Sequence, residues 1–172
     1  NIPIKHGVHR YAEEAEILLF PFARDDGPVE VWDMTTGEHT IGDIAELLAT
    51  ADKTCWHNSA FDRTVLAAKG VTIPVEKIDD TMVVALQHGL PGSLGMLCDV
   101  LGVPQDKAKD KDGKKLINLF CKPRPKNVKL RRATRETHPD EWQRFIEYAR
   151  LDVDAMRHVH GRLPNWNSTR SE

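Results

Sequence analysis

Cysteine is scarce in this 172-residue chain: Cys55, Cys98 and Cys121 are all there is. They are odd in number and widely separated, with no Cys-x-x-Cys pair. The histidines His6, His9, His39, His57, His88, His138, His158 and His160 fall into no zinc-like spacing with them or with each other. A disulfide scaffold and a zinc module are therefore excluded, and a reducing compartment is expected. No apolar run approaches the ~20 residues that span a bilayer. No signal-peptide pattern opens the chain either, and the reading is a soluble, cytoplasmic protein. Charge of one sign is also lacking: the formal net charge is −2, so any attraction to nucleic acid must be local. Internal repeats and low-complexity tracts are absent.

What is present suits one domain with a proper core, at 40% hydrophobic residues. Residues 1–16 are polar. Ile17–Ala23 is an apolar run of strand length, Asp25-Asp26-Gly27-Pro28 is a turn signal, and Val29–Trp32 alternates apolar with polar. The pair predicts an antiparallel hairpin, with Pro21 marking a bulge or an edge. Thr40 or Gly42-Asp43 introduces Ile44, Leu47 and Leu48 at helical spacing. A short strand at 54–57, a helix at 61–69 and a short extended piece at 71–75 follow. The rest reads as helices at 79–89, 93–101, 113–121 and 139–162. Two strands, helix, strand, helix is an α/β order. The domain is expected to span 1–163, with 164–172 as an exit tail or linker.

Two stretches carry candidate chemistry. Trp56-His57-Asn58-Ser59-Ala60-Phe61-Asp62 reads as a strand that stops and a helix that starts, with Asn58 and Asp62 in the crevice between them. Taken alone, both residues could merely cap the helix. Far downstream, Tyr148 and Asp152 lie four apart in a helical pattern, so their side chains share one face. A phenol over a carboxylate can position a water beside whatever the carboxylate holds. The plainer alternative is an amphipathic helix with a core tyrosine and a solvated aspartate.

Together, Asn58, Phe61 and Asp62, then Tyr148 and Asp152, resemble the second and third motifs of the DEDDy 3′-5′ exonucleases, the proofreading domains of family A (DNA polymerase I-like) polymerases. Asp79-Asp80-Thr81-Met82 resembles the Asp-Thr-Met segment that follows the second motif. Gly7–Glu13, Leu90–Leu94 and Leu119–Pro123 resemble phage-type members. The resemblance spans nearly the whole chain and implies an RNase H-like α/β fold, a mixed sheet packed by helices. It also implies hydrolysis of phosphodiester bonds at DNA 3′ ends with two Mg²⁺ or Mn²⁺ ions held by carboxylates. Asp62 and Asp152 would be metal ligands, Tyr148 would orient the attacking water, and Asn58 and Phe61 would touch substrate.

One part of the pattern is missing. No Asp-x-Glu lies on an apolar strand: Glu13, Glu14 and Glu16 precede the hairpin, and Asp25-Asp26 sit in its turn. The resemblance places that first strand upstream of Asn1, the alternative being a domain that has lost it; either way this chain is expected to bind metal weakly and to hydrolyse little or nothing. Asp79 and Asp80 read as helix caps rather than ligands. From Lys122 to Arg135 the chain carries seven cations and no acid. Lys122, Arg124, Lys126, Lys129, Arg131 and Arg132 are candidate contacts to the phosphates of a single strand; a solvated loop is the alternative. Partners implied are a single-stranded DNA 3′ end and a polymerase domain in the same gene, with no membrane. Two other functions stay open: an inert module that binds single strands or braces a polymerase, and a stand-alone exonuclease of RNA 3′ ends.

Overall fold

The computed structural model describes residues 7–104, 113–122 and 132–166. Helix α1 spans Val8–Glu14, strand β1 Leu19–Ala23, β2 Val29–Asp33, α2 Ile41–Thr50, β3 Thr54–Trp56 and α3 Ser59–Ala67. A 3₁₀ turn at Val75–Lys77 leads into β4, Ile78–Asp80. Then come α4 at Thr81–Gln87, α5 at Leu94–Val100, α6 at Gly113–Cys121 and α7 at Pro139–His160. The class is mixed α/β, as the order of elements predicts.

The hairpin forms where its turn residues demand it. β1 and β2 pair antiparallel from Leu19↔Asp33 to Ala23↔Val29, an unbroken register in which Pro21 faces Val31. Pro21 therefore marks no bulge; it occupies a strand with one described neighbour, where a missing N–H is tolerated. Phe20, Phe22 and Trp32 turn toward α2, sharing a core with Ile44, Leu66, Val71 and Ile73. The start of α2 is fixed by a reciprocal cap in which the Asp43 carboxylate accepts the Thr40 N–H at 2.6 Å and the Thr40 hydroxyl accepts the Asp43 N–H at 3.3 Å.

β4 departs from expectation. Residues 78–80 are a strand, not the first turn of a helix, and they pair parallel with β3 from Thr54↔Ile78 to Trp56↔Asp80. Residues 71–74 form no strand, although Val71 and Ile73 are buried in the core. Within 1–16, α1 is a helix the sequence reading does not give. Among the described residues the strands form two separate pairs, β1 with β2 and β3 with β4, and no described strand joins them.

Helix α7 ties these parts together. Near its start, the Trp142 indole N–H donates to Asp33 at 2.7 Å; near its end, Arg157 donates to the carbonyls of Gly27 and Asp25 in the hairpin turn, at 2.8 and 3.1 Å. It thus lies along the length of the hairpin, and His160 then reaches Asp79 of β4 at 3.0 Å. Its first half shares a cluster with Leu116 and Phe120 of α6, its second half one with Ala85, Leu97 and Cys98 of α4 and α5.

Gly113 shows how tight the α6 contact is. A methyl group built there would overlap the ring of Tyr148, so Gly113→Ala must push α6 or the tyrosine aside. The expected cost is about 1–3 kcal/mol, read as a lower urea midpoint; an unchanged midpoint would show that the helices are free to separate.

Candidate active site

The second-motif stretch is built by one carboxylate from a neighbouring strand. Asp80, 9% exposed at the end of β4, accepts the backbone N–H groups of Asn58 at 3.1 Å and Ser59 at 2.7 Å, at the start of α3. It also accepts those of Met82 at 2.9 Å and Val83 at 3.4 Å, at the start of α4. Two helix N-termini are capped by a single side chain. Burial alone would push the Asp80 carboxyl up, but the bonds from Ser59, Asn58 and Met82 more than cancel it and leave it below the usual carboxylate range.

Asn58 does not cap α3 with its side chain. It occupies the N-cap position in the left-handed conformation, φ 66° and ψ 48°, which asparagine tolerates better than most residues. Next to it, the His57 ring lies 2.9 Å from the Thr81 hydroxyl and 3.1 Å from the Gly92 carbonyl. That hydroxyl is within 2.9 Å of the Trp56 carbonyl. The strand end is therefore held rigidly against α4.

Asp62 lies one turn into α3 and is in the opposite electrostatic position to Asp80. Burial pushes its carboxyl up to about 6; its own backbone N–H offsets part of this, and the charge of Asp80 adds to it. Phe61 packs against Tyr11 of α1, ring centres 6.0 Å apart.

The third-motif residues sit on α7. Asp152 is partly buried, and its charge helps raise the thiol of Cys98 on α5, after burial of that thiol and the charge of Asp99. Tyr148 is only 5% exposed, its ring packed with Leu116, Phe120, Ala133, Trp142 and Phe145. The structure thus brings Asn58, Asp62 and Asp80 into one neighbourhood and sets Tyr148 and Asp152 on the central helix. Among the described residues, no three His, Cys, Asp or Glu side chains converge as metal ligands. The two motif aspartates do not by themselves make the cage a divalent ion needs.

Of the candidate substrate cations, Lys122 is exposed just past α6, and Arg132 forms an ion pair with Glu16 at 2.6 Å. Arg124, Lys126, Lys129 and Arg131 lie outside the described residues. Sequence reasoning gave Asp80 the cap of α4 and missed its second role at α3, 21 residues away. Parallel strands bring distant residues together with no mark in local spacing. No helix among the described residues is long and apolar enough to cross a membrane.

No family model matches the chain, and no solved structure matches it. A DNA polymerase of Bacillus phage SP02 is 33% identical to it over 177 aligned positions, covering 98% of this chain and 27% of the relative. The chain spans about a quarter of that polymerase's length, and over that span it is a polymerase-related domain.

Proposed function

We propose that this chain is the 3′-5′ exonuclease-type domain of a phage DNA polymerase, RNase H-like in fold, carrying two of the carboxylates of its metal site and little or no hydrolytic activity alone. The observation that carries the proposal is the coincidence of two things. The Asn58-Phe61-Asp62 and Tyr148-Asp152 motifs occur in order within a chain that matches a phage DNA polymerase along nearly its whole length. And Asp62, inside the second motif, is a carboxyl held in an environment that disfavours its charge. Perturbed acids of this kind collect at functional sites.

Asp62 and Asp152 are the ligands this chain would contribute to a Mg²⁺ or Mn²⁺ site, and the other carboxylates must come from an Asp-x-Glu strand. The separation of β1–β2 from β3–β4 accords with such a strand completing one mixed sheet. Bound metal would supply charge stabilisation and an activated water. Asn58 is proposed to face substrate together with Phe61. Tyr148 is proposed to orient the water through its hydroxyl, while its ring is part of the α6–α7 packing.

The test is release of nucleotides from a 3′-labelled single-stranded DNA by a polypeptide in which an Asp-x-Glu strand precedes Asn1. Cleavage is expected to fall by at least about a hundredfold in Asp152→Ala, the scale lost when a transition-state charge stabiliser is removed. It should also fall in Tyr148→Phe without loss of stability, and persist in the exposed-surface variant Glu46→Gln. Cleavage that survives Asp152→Ala would refute the assignment. A second reading, an inert single-strand-binding module, is favoured by the lack of a third converging ligand among the described residues; binding without cleavage by the extended polypeptide would establish it. RNA run in parallel decides the sugar preference.

A further inference from the structure

Two consecutive residues of β4 reach in opposite directions, as neighbours on a strand do. Asp80 accepts the N–H groups that open α3, from Asn58 at 3.1 Å and Ser59 at 2.7 Å, and α3 carries Asp62 one turn further on. Asp79 accepts from the His160 ring at 3.0 Å, and His160 is the last residue of α7, the helix that carries Asp152. Strand β4 therefore holds both of the helices on which the candidate ligands sit.

The other contacts of α7 do not fix its place relative to α3. Arg157 holds the carbonyls of the β1–β2 turn, but among the described residues that hairpin is not bonded to β3 and β4. Toward α4 and α5, the second half of α7 packs through Ala155 and Val159 against Ala85, Leu97 and Cys98. Apolar burial is favourable but non-directional, and two alanines at the contact offer little relief against sliding. A bond from a ring N–H to a carboxylate is directional and pins the end of α7 to one point of β4. The His160 and Asp79 side chains are 40% and 23% exposed, so the pair contributes little to overall stability; its consequence is placement.

We propose that Asp79 and His160 are positioning residues whose contact, together with the Asp80 cap, makes β4 the spacer that sets the separation of Asp62 and Asp152. His160 follows Asp152 by about two helical turns, roughly 12 Å of rise, so a shift of the helix end carries Asp152 with it. Misplacement by about 1 Å costs on the order of a hundredfold where reacting groups must be aligned. The importance of that separation rests on the function proposed above, but the spacing itself is tested without metal.

The experiment is measurement of backbone N–H residual dipolar couplings of the ¹⁵N-labelled 172-residue chain in a weakly aligning medium with EDTA. In the parent, the couplings of α3 and α7 are expected to fit one alignment frame. In His160→Ala they should need two, while each helix stays self-consistent and the urea midpoint stays close to the parent's. His160→Gln, whose side-chain amide donates to the same carboxylate, should restore the single frame. His158→Ala should leave it unchanged, since the His158 ring bonds within its own helix, at the Asp154 carbonyl, 2.8 Å away. The double variant Asp79→Ala/His160→Ala should go no further than either single change, because both remove one contact. Mn²⁺ binding by His160→Ala should weaken about tenfold, the lower end of the loss when a residue that orients metal ligands is removed. The proposal is overturned if folded His160→Ala keeps one frame, if His158→Ala loses it, or if His160→Ala binds Mn²⁺ as tightly as a parent that binds it. Should His160→Ala fail to fold, Asp79→Ala removes the same contact from the strand side and is read in the same way. A parent that binds no Mn²⁺ refutes the aspartate metal site and leaves the couplings to decide the spacer, so the two failures are distinct.

Discussion

Replacing Asp80 by alanine is expected to lower the folding free energy by about 2–4 kcal/mol, the sum of two lost helix caps made by charge-assisted bonds. The basis is the reach of one carboxylate: it accepts N–H groups from Asn58 and Ser59 at the start of α3 and from Met82 and Val83 at the start of α4. Alanine leaves those donors without a partner in a site where Ser59 is only 7% exposed. Asp80→Asn, which keeps one acceptor oxygen, should recover part of the loss. The pH dependence follows from the direction of its titration. A carboxyl held below its ordinary 3.8 adds stability above that pH and loses it as pH falls through the folded-state value. The gap between parent and Asp80→Ala should therefore be full at pH 7 and narrow in acid, where the protonated carboxyl keeps one acceptor oxygen. Urea midpoints at pH 7 and below pH 3 measure it, and a loss under about 1 kcal/mol at pH 7 would mean that the two helices are capped by something else.

Asp62→Asn should do the reverse and stabilise the protein, by about 1–2 kcal/mol above pH 7. The carboxyl titrates near 6 in the folded chain and at its ordinary 3.8 when unfolded. Between those values the folded state holds a proton that the unfolded state has released. Its contribution is favourable below pH 4 and is lost as pH rises through 6, with about 3 kcal/mol as an upper bound. Asparagine removes the cost at neutral pH and changes little in acid. Measured in EDTA, the curves of parent and variant should converge near pH 4 and separate by pH 7. If Asp62→Asn destabilises the chain equally at both pH values, the carboxylate is structural and the site reading loses its main physical support. A residue that weakens its own fold at neutral pH is the pattern expected where function and stability compete.

How much of this was legible in the sequence depends on how local each feature is. The hairpin announced itself through Asp25–Pro28 and the alternation after it, α2 through Thr40 and Asp43, and α7 through its long amphipathic period. Helix α1 did not, because it buries Ala12 alone and is held by packing on α3, with Tyr11 against Phe61. Strand β4 is three residues long and exists by pairing with β3, a tertiary cause that leaves no period to read. At the site, the positions of Asn58 and Asp62 at the start of α3, and of Tyr148 and Asp152 on one helix, followed from spacing. The cap from Asp80 did not, since it arrives from 21 residues away. The burial of Tyr148 had a signal: Trp142, Phe145 and Tyr148 recur every three residues, the mark of an inward stripe, and all three are buried.

The central claim is that Asp62 and Asp152 serve one metal site. Titrating the ¹⁵N-labelled chain with Mn²⁺ and following paramagnetic loss of its backbone amide signals tests this directly. The account predicts weak binding in which amides around Asn58–Arg63 and around Tyr148–Asp154 fade together at one midpoint, and in which either Asp62→Ala or Asp152→Ala protects both groups. Fading of one group alone, or of the two at unrelated midpoints, would contradict it.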